Sequence, residues 1–250
     1  MNFSISQINA LAKLIAANPN ETKALIKLAS VDVLKTLGEG RYTVVLNNQT
    51  LTAQSEKPLK EGSSYWTQMS YTKDAKPVLS SLVKIPLFMQ SLKNSSFTLT
   101  LTELQNLAKE QKPAAYLAQN LSEKLAAATT KEEFQTLSNL LLSLHDQTLT
   151  LPLLYREHFA LLQLKKRYNN RSKKTFIDFY AAFEFLGPVS GVLSLEEGNI
   201  EANLCVAFEK TKQFLEHDMK NFAFALTLQV QDTIEPLYET TRNSLLDVSI

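Results

Sequence analysis

Tyr42-Thr43-Val44-Val45-Leu46-Asn47-Asn48-Gln49-Thr50-Leu51-Thr52-Ala53 reads as a β-hairpin. Strand-favouring residues run on both sides of Asn47-Asn48, and asparagine tolerates the positive φ of a two-residue hairpin turn. Working outward, Pro58-Leu59-Lys60-Glu61-Gly62 is a turn. Residues 64–72 and 78–85 are two further strand candidates, with a loop over 73–77. Four short strands with no helix among them predict a small β-barrel over 38–86. Such strands bury little alone, so flanking helices are expected to cover one side.

Two helices are predicted ahead of the barrel, over 1–37. Ser4 with Gln7 forms a capping box, and Ile5, Ile8, Leu11, Ala12 and Ile15 then share one face. Asn18-Pro19-Asn20 stops that helix; the next carries Leu25, Ile26, Leu28 and Val31 and ends at Gly38 and Gly40. Beyond the barrel, 87–155 reads as a helical region. Thr102 with Gln105 is a capping signal, 112–128 is alanine-rich, and Phe134, Leu137, Leu140, Leu141 and Leu144 line one helix face. Thr129-Thr130-Lys131-Glu132-Glu133 is a cap between two of these helices, acidic where the helix dipole favours negative charge.

The period changes again over 156–250. Strands are predicted over 159–168, 175–185, 189–195 and 200–208, then a helix over 209–225 with Phe214, Leu215, Met219 and Phe222 inward, then a strand over 226–230. The fold class is α+β: N-terminal helices, a small barrel, a helical middle region, and a C-terminal antiparallel sheet with a packed helix.

Composition excludes several classes. The 250 residues carry 26 basic and 25 acidic side chains, so a protein acting through its overall field is excluded. The single cysteine, Cys205, excludes a disulfide framework and a cysteine-built zinc site; its apolar strand predicts a buried, inert thiol. The first seventeen residues lack a basic start and have polar interruptions, so no signal peptide or membrane insertion is expected and the predicted location is cytoplasmic.

Catalytic patterns are missing from the sequence. His145, His158 and His217 form no H-E-x-x-H pair, and adjacent acids such as Asp146 and Asp218 point about 100° away on a helix, giving no shared ligand face. Exposed positions near helix ends are expected for them. Six glycines are too few and too scattered for a phosphate cradle, and no G-x-S-x-G occurs. The chain reads as a non-enzyme with no cofactor and no metal.

The densest charge is Lys165-Lys166-Arg167-Tyr168-Asn169-Asn170-Arg171-Ser172-Lys173-Lys174, six cations around one tyrosine. Such a run grips phosphates or an acidic protein face, or is a solvated hairpin tip whose lysines discourage edge pairing. With no second basic stripe in the chain, nucleic acid is the disfavoured partner.

The run Phe185-Leu186-Gly187-Pro188-Val189-Ser190-Gly191-Val192-Leu193-Ser194-Leu195-Glu196-Glu197-Gly198-Asn199-Ile200-Glu201-Ala202-Asn203-Leu204, with Phe208, Thr211-Lys212 and Leu215 after it, resembles the C-terminal domain of flagellar hook-length control proteins. The family shows a leucine-glycine pair, an alternating strand, a glycine turn, a second strand, and a helix with a Thr-basic pair and a leucine. The barrel segment Gln49–Ser55, followed by Pro58-Leu59 and Gly62, is similar to the barrel that precedes that domain in some members. Phe183 stands where the family has a proline, and no long ruler segment rich in Pro, Ser, Thr and Gln is present. The resemblance implies a protein that enters the flagellar type III export apparatus and signals its gate to switch substrates from hook to filament. It implies the export gate protein as partner, with hook or hook-cap proteins as further ones. Candidate contacts are Leu186, Gly187, Pro188 and Val189 from the family motif, together with Lys165, Lys166, Arg167 and Arg171 of the basic hairpin. A tight lead-in to a strand is the competing role for Leu186-Gly187. The competing function is a cytoplasmic adaptor or chaperone that holds a partner helix on its helical region.

Overall fold

A computed structural model of the protein describes residues 28–240 apart from 47, 56, 72–76, 156–157, 171–172, 197–198 and 219–224. The predicted N-terminal helices fall on 1–27, outside the described residues, except for their last part. There the expectation is corrected: Leu28–Gly38 is a strand, β1, not the end of a helix. The apolar spacing of Leu25, Ile26 and Leu28 reads as helical, but Val31 and Val33 point alternately inward, and pairing with a distant strand overrides the local period.

The barrel therefore has five strands: β1, β2 (Arg41–Leu46), β3 (Gln49–Ser55), β4 (Ser64–Tyr71) and β5 (Pro77–Lys84). They close in the order β1-β2-β3-β5-β4, with β4 returning antiparallel to β1 and β3 running parallel to β5. The β1–β2 turn places Gly38, Glu39 and Gly40 consecutively at φ +86°, +52° and +70°, a path that two glycines make cheap. Asn48 takes φ +62° in the β2–β3 turn, as the hairpin reading requires. Val31, Val33, Tyr42, Val44, Leu46, Ala53, Tyr65 and Leu79 fill the interior. Two interior tyrosines satisfy the loop after β3: Tyr42 Oη accepts from the Leu59 amide at 3.1 Å and Tyr65 Oη from the Lys60 amide at 3.0 Å.

The strand period of two decides how the barrel joins the rest. Tyr65 points inward, so its neighbour Trp66 points out, and it is buried with Leu28 and Ile85 in the large core shared with the helices and the second sheet. Through these residues the barrel joins the core that the helices and the second sheet share.

Helices α1 (Leu87–Lys93), α2 (Leu101–Lys109), α3 (Pro113–Ala127) and α4 (Lys131–His145) follow. The box that starts α2 is Thr100 with Glu103, not Thr102 with Gln105: Glu103 N donates to Thr100 Oγ1 at 3.2 Å and Thr100 N to the Glu103 carboxylate at 2.7 Å. Thr130 caps α4 as expected, accepting from Glu133 N at 3.1 Å. The helical region stops ten residues before the predicted 155. Gln147 at φ +60° ends α4, and Thr148–Tyr155 is strand β6. Leucines recur on both sides of the short polar junction 145–148, at 140–142 and 144 in α4 and at 149, 151, 153 and 154 in β6, which hid the change of period.

The second sheet has six strands in the order β11-β10-β9-β8-β7-β6, the others being β7 (His158–Asn169), β8 (Lys174–Phe183), β9 (Gly187–Glu196), β10 (Asn199–Val206) and β11 (Ala225–Val230). It is not wholly antiparallel: α5 (Glu209–Asp218) carries the chain from β10 to β11, which lies parallel to β10. Phe159 through Leu164 are consecutive and all buried, so both faces of β7 are covered, which only strands inside a layered domain show. Pro152, lacking an N–H, sits in edge strand β6, where its carbonyl accepts from Leu99 N at 2.8 Å.

The segment after β11 ties the molecule together. Ile234 is buried, and Tyr238 exchanges two hydrogen bonds with the fully buried Gln163: Gln163 Nε2 donates to Tyr238 O at 2.7 Å, and Tyr238 N donates to Gln163 Oε1 at 3.2 Å. Glu239 then accepts from Leu87 N and Phe88 N at 3.1 and 3.0 Å, fastening the start of α1.

Candidate functional site

Gly187 opens β9 at φ +74°, and a Cβ there would stand 2.5 Å from Phe208 Cε2. Thr211, on the first turn of α5, donates its hydroxyl to Leu186 O at 2.8 Å. Leu215, one turn further, is buried against the sheet. Leu186, Gly187, Pro188 and Val189 are all buried. The structure brings Leu186, Gly187, Phe208 and Thr211 into one interlocked corner, in which the first four candidates form a buried, tight lead-in to a strand. Of the inward residues expected on the last helix, Leu215 is buried and Phe214 half-buried, while Met219 and Phe222 lie outside the described residues.

The basic hairpin behaves differently. β7 continues past the last residue paired with β6, Lys165, and β8 begins before the first paired with β9, Phe176. Residues 166–169 and 174–175 therefore form a two-stranded tip standing clear of the sheet. Lys165 Nζ donates to Asp146 at 3.1 Å, and this hydrogen bond holds the Asp146 carboxyl below its ordinary value. Arg167 grips Asp178 with two hydrogen bonds, Nε at 3.0 Å and a terminal nitrogen at 2.9 Å, and lies over the Phe176 ring; the paired carboxylate raises the guanidinium's affinity for its proton. Lys166, Tyr168 and Lys173 are exposed. Arg171 lies outside the described residues.

A cleft of about 900 Å³ lies between the barrel, α1 and the turn from β8 to β9, walled by Asp32, Ser64, Met89, Lys93 and Glu184 among others. Its charged groups are mutually occupied: Ser64 donates to Asp32, and Lys93 pairs with Glu184, whose second oxygen lies 3.5 Å from His158 Nδ1. His158 thus starts a strand and packs edge-on to Phe185, whereas His145 and His217 are exposed at the ends of α4 and α5. Cys205 is half-buried on β10 rather than fully buried. Among the described residues, no three His, Cys, Asp or Glu side chains are grouped to hold a metal, and no helix is long and apolar enough to cross a membrane.

Sequence reasoning missed the Gln163–Tyr238 latch and Glu239, because partners 75 residues apart leave no local signal. The apolar spacing of the predicted last helix placed Leu215 on its inward face, and Thr211 falls on the same helix.

The barrel's strand order and closure define the OB-type class of small barrel. Residues 27–80 match the TP0910 S1-like domain family, a span that covers β1 to β4 and the start of β5. No curated protein and no solved structure matches the chain.

Proposed function

We propose that this chain is a non-enzymatic flagellar assembly protein resembling hook-length control proteins, acting on type III export substrate switching through protein–protein contacts. The observation that carries the reading is the corner at Gly187. The leucine-glycine pair, the two strands, and the threonine and leucine of the following helix are the residues on which the resemblance rests, and they lock onto one another through Phe208 and Thr211. A domain of this kind works by binding one conformation of its partner more tightly than another, which shifts the partner's equilibrium without chemistry. The export gate protein is the first partner, and hook or hook-cap proteins are further ones.

The adaptor reading, with a partner helix on the helical region, is less well supported. Leu117, Leu121, Leu137 and Leu140 of α3 and α4 are already used in the shared core. The S1-like match favours a second reading, in which the barrel binds single-stranded nucleic acid. Such binding stacks bases on exposed aromatic rings. Here Tyr42 and Tyr65 face the barrel interior and Trp66 faces the core, so none of these three rings offers a platform.

Electron microscopy of hooks in a strain lacking the gene tests the proposal. Overlong hooks without filaments are the expected result. Normal hooks carrying normal filaments would sink it, leaving the likeness as one of fold alone.

A further inference from the structure

We infer that the β7–β8 tip is a docking element for an acidic polypeptide, with Tyr168 as its anchor and Lys166 and Lys173 as the charges that meet the partner. The proposal rests on reading the chain as a protein-contacting module and is independent of its flagellar assignment.

The cations of β7 divide into two sets by the strand period. On one face, Lys165 and Arg167 are held by Asp146 and Asp178, so their charge is internally compensated and they brace the base of the hairpin. Lys166 and Tyr168 alternate with them and lie on the opposite face, each exposed. Lys173 sits in the turn at φ +53°, also exposed, and no ion pair is formed by Lys166 or Lys173 among the described residues. Tyr168 is 55% exposed, a large ring carried outward by a braced hairpin instead of being folded onto the sheet. A rigid aromatic with cations around it is the composition of an interface hot spot, where the ring supplies buried area at low entropic cost and the charges select the partner.

The extent of the patch favours protein over nucleic acid. The projecting part of β7 is four residues long, about 13 Å at about 3.3 Å per residue, which suits one acidic loop or helix end. Tracking a phosphate backbone needs a longer groove and successive stacking rings. Arg41 on the barrel does not extend the patch, since it is paired with Glu39.

The test is fluorescence anisotropy of the full chain with labelled poly-L-glutamate and labelled oligouridylate at about 0.15 M ionic strength. Wild type is expected to bind poly-L-glutamate more tightly than oligouridylate. Lys166→Glu/Lys173→Glu should weaken polyglutamate binding about tenfold or more, and Tyr168→Ala several-fold, by loss of the charge pairs and of the anchor. Lys109→Glu/Lys131→Glu, the same charge change at exposed helix positions, should leave binding unchanged. Circular dichroism of each variant confirms folding. Tighter binding of oligouridylate that the tip variants abolish would overturn the proposal in favour of a nucleic-acid contact. Absence of polyglutamate binding, or equal loss in the control variant, would overturn it in favour of a solvated tip. Hook morphology does not enter this outcome, so the flagellar reading and this one fail separately.

Discussion

Gly187 and Phe208 occupy space that only one of them can fill: a methyl group at 187 would stand 2.5 Å from one carbon of the Phe208 ring and 2.9 Å from the next. The ring is itself fully buried between sheet and helix, so it has nowhere to retreat.

Gly187→Ala is accordingly expected to destabilise the protein by about 2–4 kcal/mol, from the left-handed backbone and from overpacking together. Urea denaturation measures it. Phe208→Leu, costly alone, should recover part of the loss when combined with Gly187→Ala. Additive effects of the two substitutions would show that the ring is not the obstacle.

The latch between Gln163 and Tyr238 yields a second expectation. Gln163→Leu removes both partners of the Tyr238 backbone, at a cost of about 2 kcal/mol. Amide exchange at Tyr238 should quicken more than exchange in the barrel strand β2. Unchanged protection at Tyr238 would mean that the segment is held by Ile234 and Glu239 without the glutamine.

Glu103 makes the stability of α2 depend on pH. Hydrogen bonds from Thr100 hold its carboxyl below the ordinary value of 4.5. A carboxyl with a folded pKa below its unfolded one stabilises the fold above the unfolded value, and this is lost as pH falls through the folded value. Between about pH 5 and 3 the wild type should therefore lose more stability than Glu103→Ala, a difference that acid-range thermal melts resolve. Thr100→Ala should cost about 1 kcal/mol at neutral pH by removing the cap.

Tyr180 is expected to behave in the opposite way to most buried groups. Its ring is fully buried, burial pushes its phenol well above the ordinary value of 10, and its hydroxyl has no hydrogen-bond partner among the described residues. Tyr180→Phe should be neutral or stabilising by up to about 1 kcal/mol, because it relieves a buried polar group of its desolvation. A loss of more than that in a thermal melt would reveal a partner for the hydroxyl.

Much of the architecture was legible in local pattern. The Asn47-Asn48 hairpin, the Thr130 cap and the strand pairs on either side of 170 and 198 depend on neighbours a few residues apart, so turn chemistry and alternation suffice to place them. β1 and β6 were not legible in this way. Each follows or extends an apolar spacing of helical type, and each becomes a strand because a distant strand offers it a ladder: β4 for β1, β7 for β6. At the candidate site, the sequence marked the basic hairpin and the Leu186–Val189 motif equally. It could not tell that the first projects and the second is buried.

What the sequence by itself determined is the set of local choices: where turns fall, which helices are capped, and that the charge is concentrated at one hairpin. Tertiary structure alone decided the closure of the barrel by β1, the parallel return of β11, the burial of Leu186 to Val189, and the bracing of Lys165 and Arg167 by Asp146 and Asp178. The reason is physical. Turn and cap energies arise between residues close in the chain, whereas burial and ion pairing are set by whichever distant surface the fold brings alongside, as Asp146 is brought to Lys165 and Tyr238 to Gln163.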